Sequence, residues 1–441
     1  MKVIVAGGGT SGFMAALAAA HGGAEVTLVE GSGFLGGGIG AVAANYIGGW
    51  CAGNTGEQVV GGLLLDRFVE RLVEAGASDG CYRYDDTMCD VPVNAELCKF
   101  VMDDMIVEAG ITLLFHTLAV GAVVEDGALK RIVVANKGGM SELAADAFVD
   151  ATGDADVAFY SGAPCDKAPL ELLQKATLMF KMGGVDFSRI RQYAAAHPDE
   201  VGDAPEDAIW AFGFRKVLAQ AVDDAQSRGE QPPFVRGPLI ALSALNPGEY
   251  WLLMTDISVD GTDAKDLSRL EIEARQQIRD LVPTLRSYIP GFENAYLSQI
   301  APRAGIRETR RIVGDYVLTK EDIVQGREFA DVVCRLCHHL DLHDNAQQGH
   351  HTIRIESPRA KYDLPYRCLL PKEVNNLLVA GRCISVTSEA MGSVRIQSHC
   401  LATGQVAGTA AAMAAAKNIP PRQLDVQELQ SRLTDMGALS L

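Results

Sequence analysis

The sequence predicts an α/β protein in which a parallel sheet is assembled from the two ends of the chain around an inserted α+β domain. Three features predict it. The chain opens "KVIVAGGGTSGFMAALAAAHGGAEVTLVE", which is a β-branched strand, a glycine turn, a small-residue helix and a second strand. A short apolar strand, "NLLVAG", returns late in the sequence, after a stretch from Pro164 to Pro358 rich in aromatic, charged and proline residues. At 441 residues the chain can build two domains of ordinary size. The expected division is 1–163 for the first part of the sheet domain, 164–358 for an inserted, partly antiparallel substrate domain, and 359–441 for the returning part.

The opening segment has the order of a Rossmann-like dinucleotide site. Gly7 permits the tight turn, Gly9 lets the backbone approach a pyrophosphate, and Gly12 allows close helix–strand contact, with Thr10 and Ser11 opening the helix. Glu30 ends the second strand, where a carboxylate accepts hydrogen bonds from ribose hydroxyls and repels a 2′-phosphate. A second glycine cluster, Gly36, Gly37, Gly38 and Gly40, lacks a preceding strand. It is therefore a loop that lies against an extended cofactor or a flexible connection, not a second nucleotide fold. These motifs alone do not separate NAD from FAD.

Residues 91–110 predict a helix, and "ITLLFH" a strand. "AVGAVVEDGALKRIVVANKGG" predicts a hairpin about Asp126 and Gly127, and "LAADAFVDATGDADVA" a buried strand running into Thr152 and Gly153. A loop at a strand's carboxyl end is where parallel sheets bind ligands. Strand-like patches at 175–185 and 249–259 belong to the insertion. After "NLLVAG", Gly381 is followed by Arg382, which either meets the diphosphate or pairs on the domain surface. "EAMGSVRIQSHCLATGQVAGTAAAMAAAK" then places Gly392 and Ser393 at a ligand-facing turn, with Val394 beside them, before a helix whose Gly404, Ala407 and Gly408 permit close helix contact.

Composition narrows the function classes. The formal charge is −17 and 22% of residues are charged. That balance repels nucleic acid and anionic lipid over most of the surface. No stretch reads as a membrane span or leader, so the expected location is cytoplasmic. Ten scattered cysteines favour free thiols in a reducing compartment, with Cys98, Cys368 and Cys383 filling cores.

"CRLCHHLDLHD", Cys334 to Asp344, gathers two cysteines and three of the nine histidines. On a helix His339 and His343 would share a face, with further ligands from His350 and His351, but no H-E-x-x-H pattern is present and no metal is assigned. Cys334 and Cys337 have the spacing of a redox dithiol.

Taken in order, "VIVAGGGTSGFMAA" with Glu30, "GFLGGG", "VDATGDADVA", "PRAGIRETRRIVGDYVLTKEDI", "DLHD" and "YRCLLPKEVNNLLVAGRCISVTSEAMGSVR" with "GQVAG" resemble the FAD-dependent oxidoreductase family of the glutathione-reductase-like flavoprotein type. The resemblance spans nearly the whole chain. It implies extended FAD, with Gly7, Gly9 and Gly12 at the diphosphate, Glu30 at the ribose, Gly36 to Gly38 at the central portion, and Gly392 to Arg395 at the flavin end. Arg382 departs from the family, in which many members have an acidic residue after the last strand's glycine.

The matched "DLHD" makes His343 the preferred proton-handling residue. Arg395 and Arg367 are candidates for stabilising negative charge, as is one arginine of "PRAGIRETRR", and Tyr366 is a candidate relay. Arg395 and His399 would share a face if that helix has begun by then. The expected activity is hydride transfer between flavin and a small-molecule substrate, with an electron donor or acceptor as second partner. The alternatives are a non-redox flavoprotein isomerase or lyase, or a cofactor-stabilised assembly subunit. The length is also compatible with a homo-oligomer.

Overall fold

A computed structural model describes residues 1–52, 56–83, 89–197, 224, 226–229, 240–243, 246–343 and 351–440. Its centre is a five-stranded parallel sheet in the order Leu377–Val379, Ala147–Asp150, Lys2–Ala6, Glu25–Val29 and Thr112–Leu114. The strands from the two ends of the chain meet through the register Phe148↔Leu377, Val149↔Leu378 and Asp150↔Val379. The four residues of Ala147–Asp150 are all buried, as strands covered on both faces must be.

The helices Thr10–His21 and Gln397–Lys417 cross in direct backbone contact. A Cβ at Gly404 would lie 2.1 Å from the Ser11 carbonyl oxygen, and one at Gly408 2.1 Å from that of Ala15. No rotamer relieves a clash between Cβ and backbone, so the glycines set the helix separation and the alanines fill what remains. Gly408→Ala is expected to destabilise the chain by about 1–3 kcal/mol or more, read as a lowered unfolding midpoint.

The hairpin about Asp126 and Gly127 forms as anticipated, from Leu118–Glu125 and Ala128–Asn136, and Gly139–Ala144 adds a third strand. The helix expected over 91–110 occupies Ala95–Glu108, capped by the Asn94 side chain.

A second core forms within the insertion. Phe180–Gly183 lies between Tyr250–Leu253 and Tyr296–Ile300 in an antiparallel sheet, whose fourth strand is Ile240–Ser243. Leu270, Ala274, Ile278, Leu281 and Leu285 of the helix Ala264–Tyr288 pack against it at helical spacing. Ile312, Leu318, Val333, Leu340, Tyr362 and Val386, by contrast, join the buried cluster of the parallel sheet.

Three local expectations change. The Cys334–His343 stretch is not helical: Val332–Leu336 pairs with Tyr362–Pro365, and Leu340–Leu342 with His351–Ile353. Leu340 and Leu342 are buried on either side of half-buried Asp341, which is the period of a strand. Gly392 and Ser393 lie within the short helix Ser388–Val394, not in a turn. Arg395 caps that helix while His399 belongs to the next one, so the two do not share a helical face. Asp344 and His350 lie outside the described residues. No described helix is long and apolar enough to cross a membrane.

Candidate active site

The loops at the carboxyl ends of four sheet strands form a cradle. Gly7 has φ +95°, and a Cβ there would strike the Ala151 carbonyl oxygen at 2.4 Å. A Cβ on Gly12 would fall 1.7 Å from the Gly7 oxygen. Both glycines are thus demanded by the protein's own packing. Gly9 is different: its backbone suits any residue, and a Cβ would meet nothing nearer than the Gly37 Cα at 3.8 Å. The open face at Gly9 leads into a helix with no side-chain cap and no acidic residue in its first turn. That helix end is left for an anion to complement.

Glu30 braces the turn, its carboxylate accepting from the Gly8 amide at 2.7 Å and the Ser32 amide at 2.6 Å. Its two oxygens retain lone pairs for ribose hydroxyls. The Gly36–Gly38 loop closes over the turn, with the Gly36 amide donating to the Gly8 oxygen at 2.9 Å and a parallel bridge joining Gly9 and Gly36.

The returning half completes the cradle. Gly381, at φ +82°, leaves no room for a Cβ against the Ser11 hydroxyl, and its amide donates to Thr403 Oγ1 at 3.1 Å. Asp150 is buried and organises the next loop by accepting from Thr152 N at 3.0 Å, Thr152 Oγ1 at 2.7 Å and Ala158 N at 2.9 Å. Arg382 packs against Gly153 and donates through Nη2 to Asp154 at 3.2 Å. Its Nη1 is buried and has no acceptor among the described residues.

An open Gly9 face and an uncapped helix start suit a diphosphate, and the unsatisfied Arg382 Nη1 is a further donor in the cradle, so the residues present fit FAD. Arg382→Met is expected to weaken FAD binding to apoprotein by about 10- to 100-fold, the worth of one charge-assisted hydrogen bond. A titration that gives unchanged affinity removes Arg382 from the cradle.

Beyond Gly38 the chain runs to the strand Tyr46–Gly48, where a second polar group assembles. The Gln397 amide packs beside Gly38, and its buried Oε1 has no donor among the described residues. Gln397 begins the long helix Gln397–Lys417, which also lacks a side-chain cap and first-turn acids.

Asp341 Oδ2 accepts from Arg395 Nη2 at 3.0 Å and pairs with His343 Nε2 at 2.9 Å. Arg395 also donates to the Asp341 carbonyl at 3.0 Å, while its Nε is buried with no acceptor among the described residues. Burial, then the Arg307 charge, pushes the His343 imidazole down to about 2, despite Asp341. The ring is therefore neutral, with Nε2–H donating to Asp341 and Nδ1 as its acceptor nitrogen. Burial, reinforced by Asp90 and Asp341, raises the Tyr46 phenol to about 12, so it remains a donor.

His338 and His399 are likewise held neutral by burial, the latter at about 3. A histidine whose folded value lies below its unfolded one costs nothing above that unfolded value of about 6.5. As pH falls further, the unfolded chain binds protons that the folded chain refuses, and stability falls with it. Each of the three is expected to remove up to about 1.4 kcal/mol per pH unit below pH 6.5, measured as a falling denaturation midpoint between pH 7 and pH 5.

Other candidates from the sequence are placed apart or are occupied by the protein. Tyr366 is buried, donates to the Pro421 oxygen at 3.0 Å and is held well above the ordinary phenol range by burial. Arg367 binds Asp331 at 2.8 Å. Neither contact involves the Asp341 group. Ser393 donates to the His338 oxygen at 2.6 Å and meets the Tyr362 hydroxyl at 2.7 Å. Gly392 allows close approach to Asp341, and Val394 is buried. None of the ten cysteines is disulfide-bonded, and burial raises the Cys334 and Cys337 thiols, which disfavours thiolate chemistry there.

Within "PRAGIRETRR", Arg310 pairs with Asp156 and Arg311 with Glu308, while Arg307 donates to the Lys175 oxygen. The Lys175 amide in turn donates to the His343 oxygen at 2.9 Å. Its neighbour Gln174 is buried, with both side-chain amide atoms lacking partners among the described residues. Tyr46, Gln174, Asp341 and Gln397 escaped the sequence reading. Only Asp341 left a signal: its i, i+2 spacing from His343 puts both on one face if the segment is read as a strand.

Residues 2–433 match the family described as FAD dependent oxidoreductase. No curated relative matches the sequence. Among solved structures, a geranylgeranyl bacteriochlorophyll reductase-like protein from Thermoplasma acidophilum is similar at 11% identity and a TM-score of 0.49, covering 98% of this chain and 83% of that one. A p-nitrophenol 4-monooxygenase from Pseudomonas putida is similar at 12% identity and a TM-score of 0.45, covering 98% and 84%. With a cradle that fits the cofactor and a family match over nearly its whole length, the chain belongs to the FAD-dependent oxidoreductases and is a redox enzyme that binds FAD.

Proposed function

We propose that this enzyme transfers hydride between flavin and a small organic substrate that carries or develops negative charge, with His343 handling the accompanying proton. The observation that supports this most directly is the Arg395–Asp341–His343 chain, with its neutral imidazole. Bound FAD supplies the two-electron acceptor or donor at its N5 position.

The chain's own residues divide the remaining work. Arg395 holds Asp341, and Asp341 holds the imidazole in one tautomer, so Nδ1 accepts or returns the substrate proton without a change of ring orientation. A protonated His343 is stabilised by Asp341 only while the proton is in transit, which suits a relay that must release it. Arg307 and the Arg395 Nε–H offer positive charge and a donor to a carboxylate or an enolate-like oxygen. The protonated Tyr46 hydroxyl adds a neutral donor.

Anaerobic mixing with candidate organic acids and carbonyl compounds, followed through the flavin spectrum, tests the proposal. Substrate-dependent bleaching is the expected result. Product formation without any flavin reduction would replace it by isomerase or lyase chemistry.

A further inference from the structure

We propose that Cys51, Cys81 and Cys89 form a three-thiolate zinc site. Their sulfur atoms lie within 4.8 Å of one another, although they come from three separate pieces of chain. Cys51 lies in the loop after Tyr46–Gly48, Cys81 immediately precedes the strand Tyr82–Arg83, and Cys89 begins the strand Cys89–Pro92. The last two strands pair through Arg83↔Cys89, and the Trp50 amide donates to the Cys89 oxygen at 3.2 Å, bringing Cys51 alongside. None of the three is disulfide-bonded.

The donor set selects the ion. Among the described residues no carboxylate or imidazole joins the group, which disfavours magnesium and calcium and favours a thiophilic cation. Tetrahedral zinc, with Zn–S bonds of about 2.3 Å, holds its sulfurs about 3.8 Å apart, within the observed spacing. A [4Fe–4S] cluster would place each thiolate on a different iron and spread them further, and a [2Fe–2S] cluster would hold at most two on one iron. Cys337, the nearby buried thiol, donates instead to the Gly49 oxygen at 3.2 Å.

The surroundings also suit an ion. A cavity of about 260 Å³, lined in part by Trp50, Cys51, Gln58, Asp66, Glu70 and Cys81, opens beside two of the three cysteines, and Cys81 is exposed. Water can therefore fill the fourth coordination position. Trp50 lines the same cavity, and its buried indole N–H has no acceptor among the described residues. A metal-bound thiolate or water supplies one. Binding breaks three S–H bonds, forms three Zn–S bonds and releases three protons to solvent, with no transfer of electrons. The ion would clamp the loop after Tyr46–Gly48 to the strand carrying Asp90, whose charge acts on Tyr46.

The test uses FAD-loaded enzyme, stripped with chelator, incubated with zinc and dialysed. Elemental analysis is expected to find one zinc per chain in the wild type and in Cys165→Ser, a thiol outside the group. Cys51→Ser and Cys81→Ser are each expected to weaken zinc binding by more than the roughly 10- to 100-fold that loss of an outer-shell partner costs. FAD content in the same samples reports folding, and cobalt in place of zinc should give intense thiolate-to-metal absorption that Cys81→Ser abolishes. No bound zinc in folded wild type, full retention in both variants, or a disulfide between any two of the three in the native enzyme would overturn the site.

Discussion

Gly12→Ala is expected to yield chain that retains no FAD and fails to fold cooperatively, whereas Gly9→Ala folds and loses only the cofactor. The two glycines lie three residues apart in one motif, yet their surroundings differ in kind. At Gly12 a methyl would lie 1.7 Å from the Gly7 carbonyl oxygen and 3.2 Å from Ala151 Cβ, inside the helix–sheet contact on which the parallel sheet depends. Over-packing of that sort costs about 1–3 kcal/mol even where neighbours can shift, and here the neighbour is backbone. At Gly9 the protein leaves a methyl 3.8 Å of clearance, so apoprotein stability should move by no more than about 0.5 kcal/mol. The methyl would instead occupy the approach to the diphosphate. Paired measurements of thermal unfolding and FAD titration separate the two effects. Equal FAD affinity for Gly9→Ala and wild type would place the diphosphate elsewhere.

His343→Gln is expected to slow substrate-dependent flavin reduction by about 10²- to 10⁴-fold, the usual worth of a positioned acid–base group, while FAD occupancy stays near that of wild type. The pH profile gives a second readout. Because burial and Arg307 hold the imidazole down to about 2, the basic form persists as pH falls and is lost only near that value. Wild-type reduction should therefore show no His343 limb between pH 5 and pH 8. A limb near pH 6.5 that disappears in His343→Gln would show that the ring titrates freely in the working enzyme and that the neutral relay is wrong. Asp341→Asn preserves the shape of the hydrogen-bonded chain but removes the charge that steadies the transient imidazolium. It is expected to lower the reduction rate with little effect on FAD content.

The nucleotide cradle could be read from the sequence because its requirements are local and written in glycine. A tight turn, a close backbone approach and a helix start without a cap each leave a mark within a few residues, and Gly7, Gly9, Gly12 and Glu30 stand where those marks place them. The late glycines were legible for the same reason, since Gly404 and Gly408 are four apart on one helix face and lie under the Ser11 and Ala15 carbonyls. The "CRLCHHLDLHD" stretch misled because its histidines fit a helical period as well as a strand period. Its neighbours decided the matter by pairing Leu340–Leu342 with His351–Ile353.

Sequence alone indicated the parallel sheet built from both ends of the chain and its dinucleotide cradle, because each rests on backbone geometry that repeats wherever a dinucleotide meets a strand–turn–helix unit, while the order of motifs along the whole chain pointed to the family and to FAD. Tertiary structure alone decided which side chains meet. Arg395 reaches Asp341 from 54 residues away, Arg382 reaches Asp154 from 228, and three cysteines with no metal-binding spacing converge at one point. Such contacts depend on how separate elements pack, and packing is a property of the whole chain that no short window of residues records.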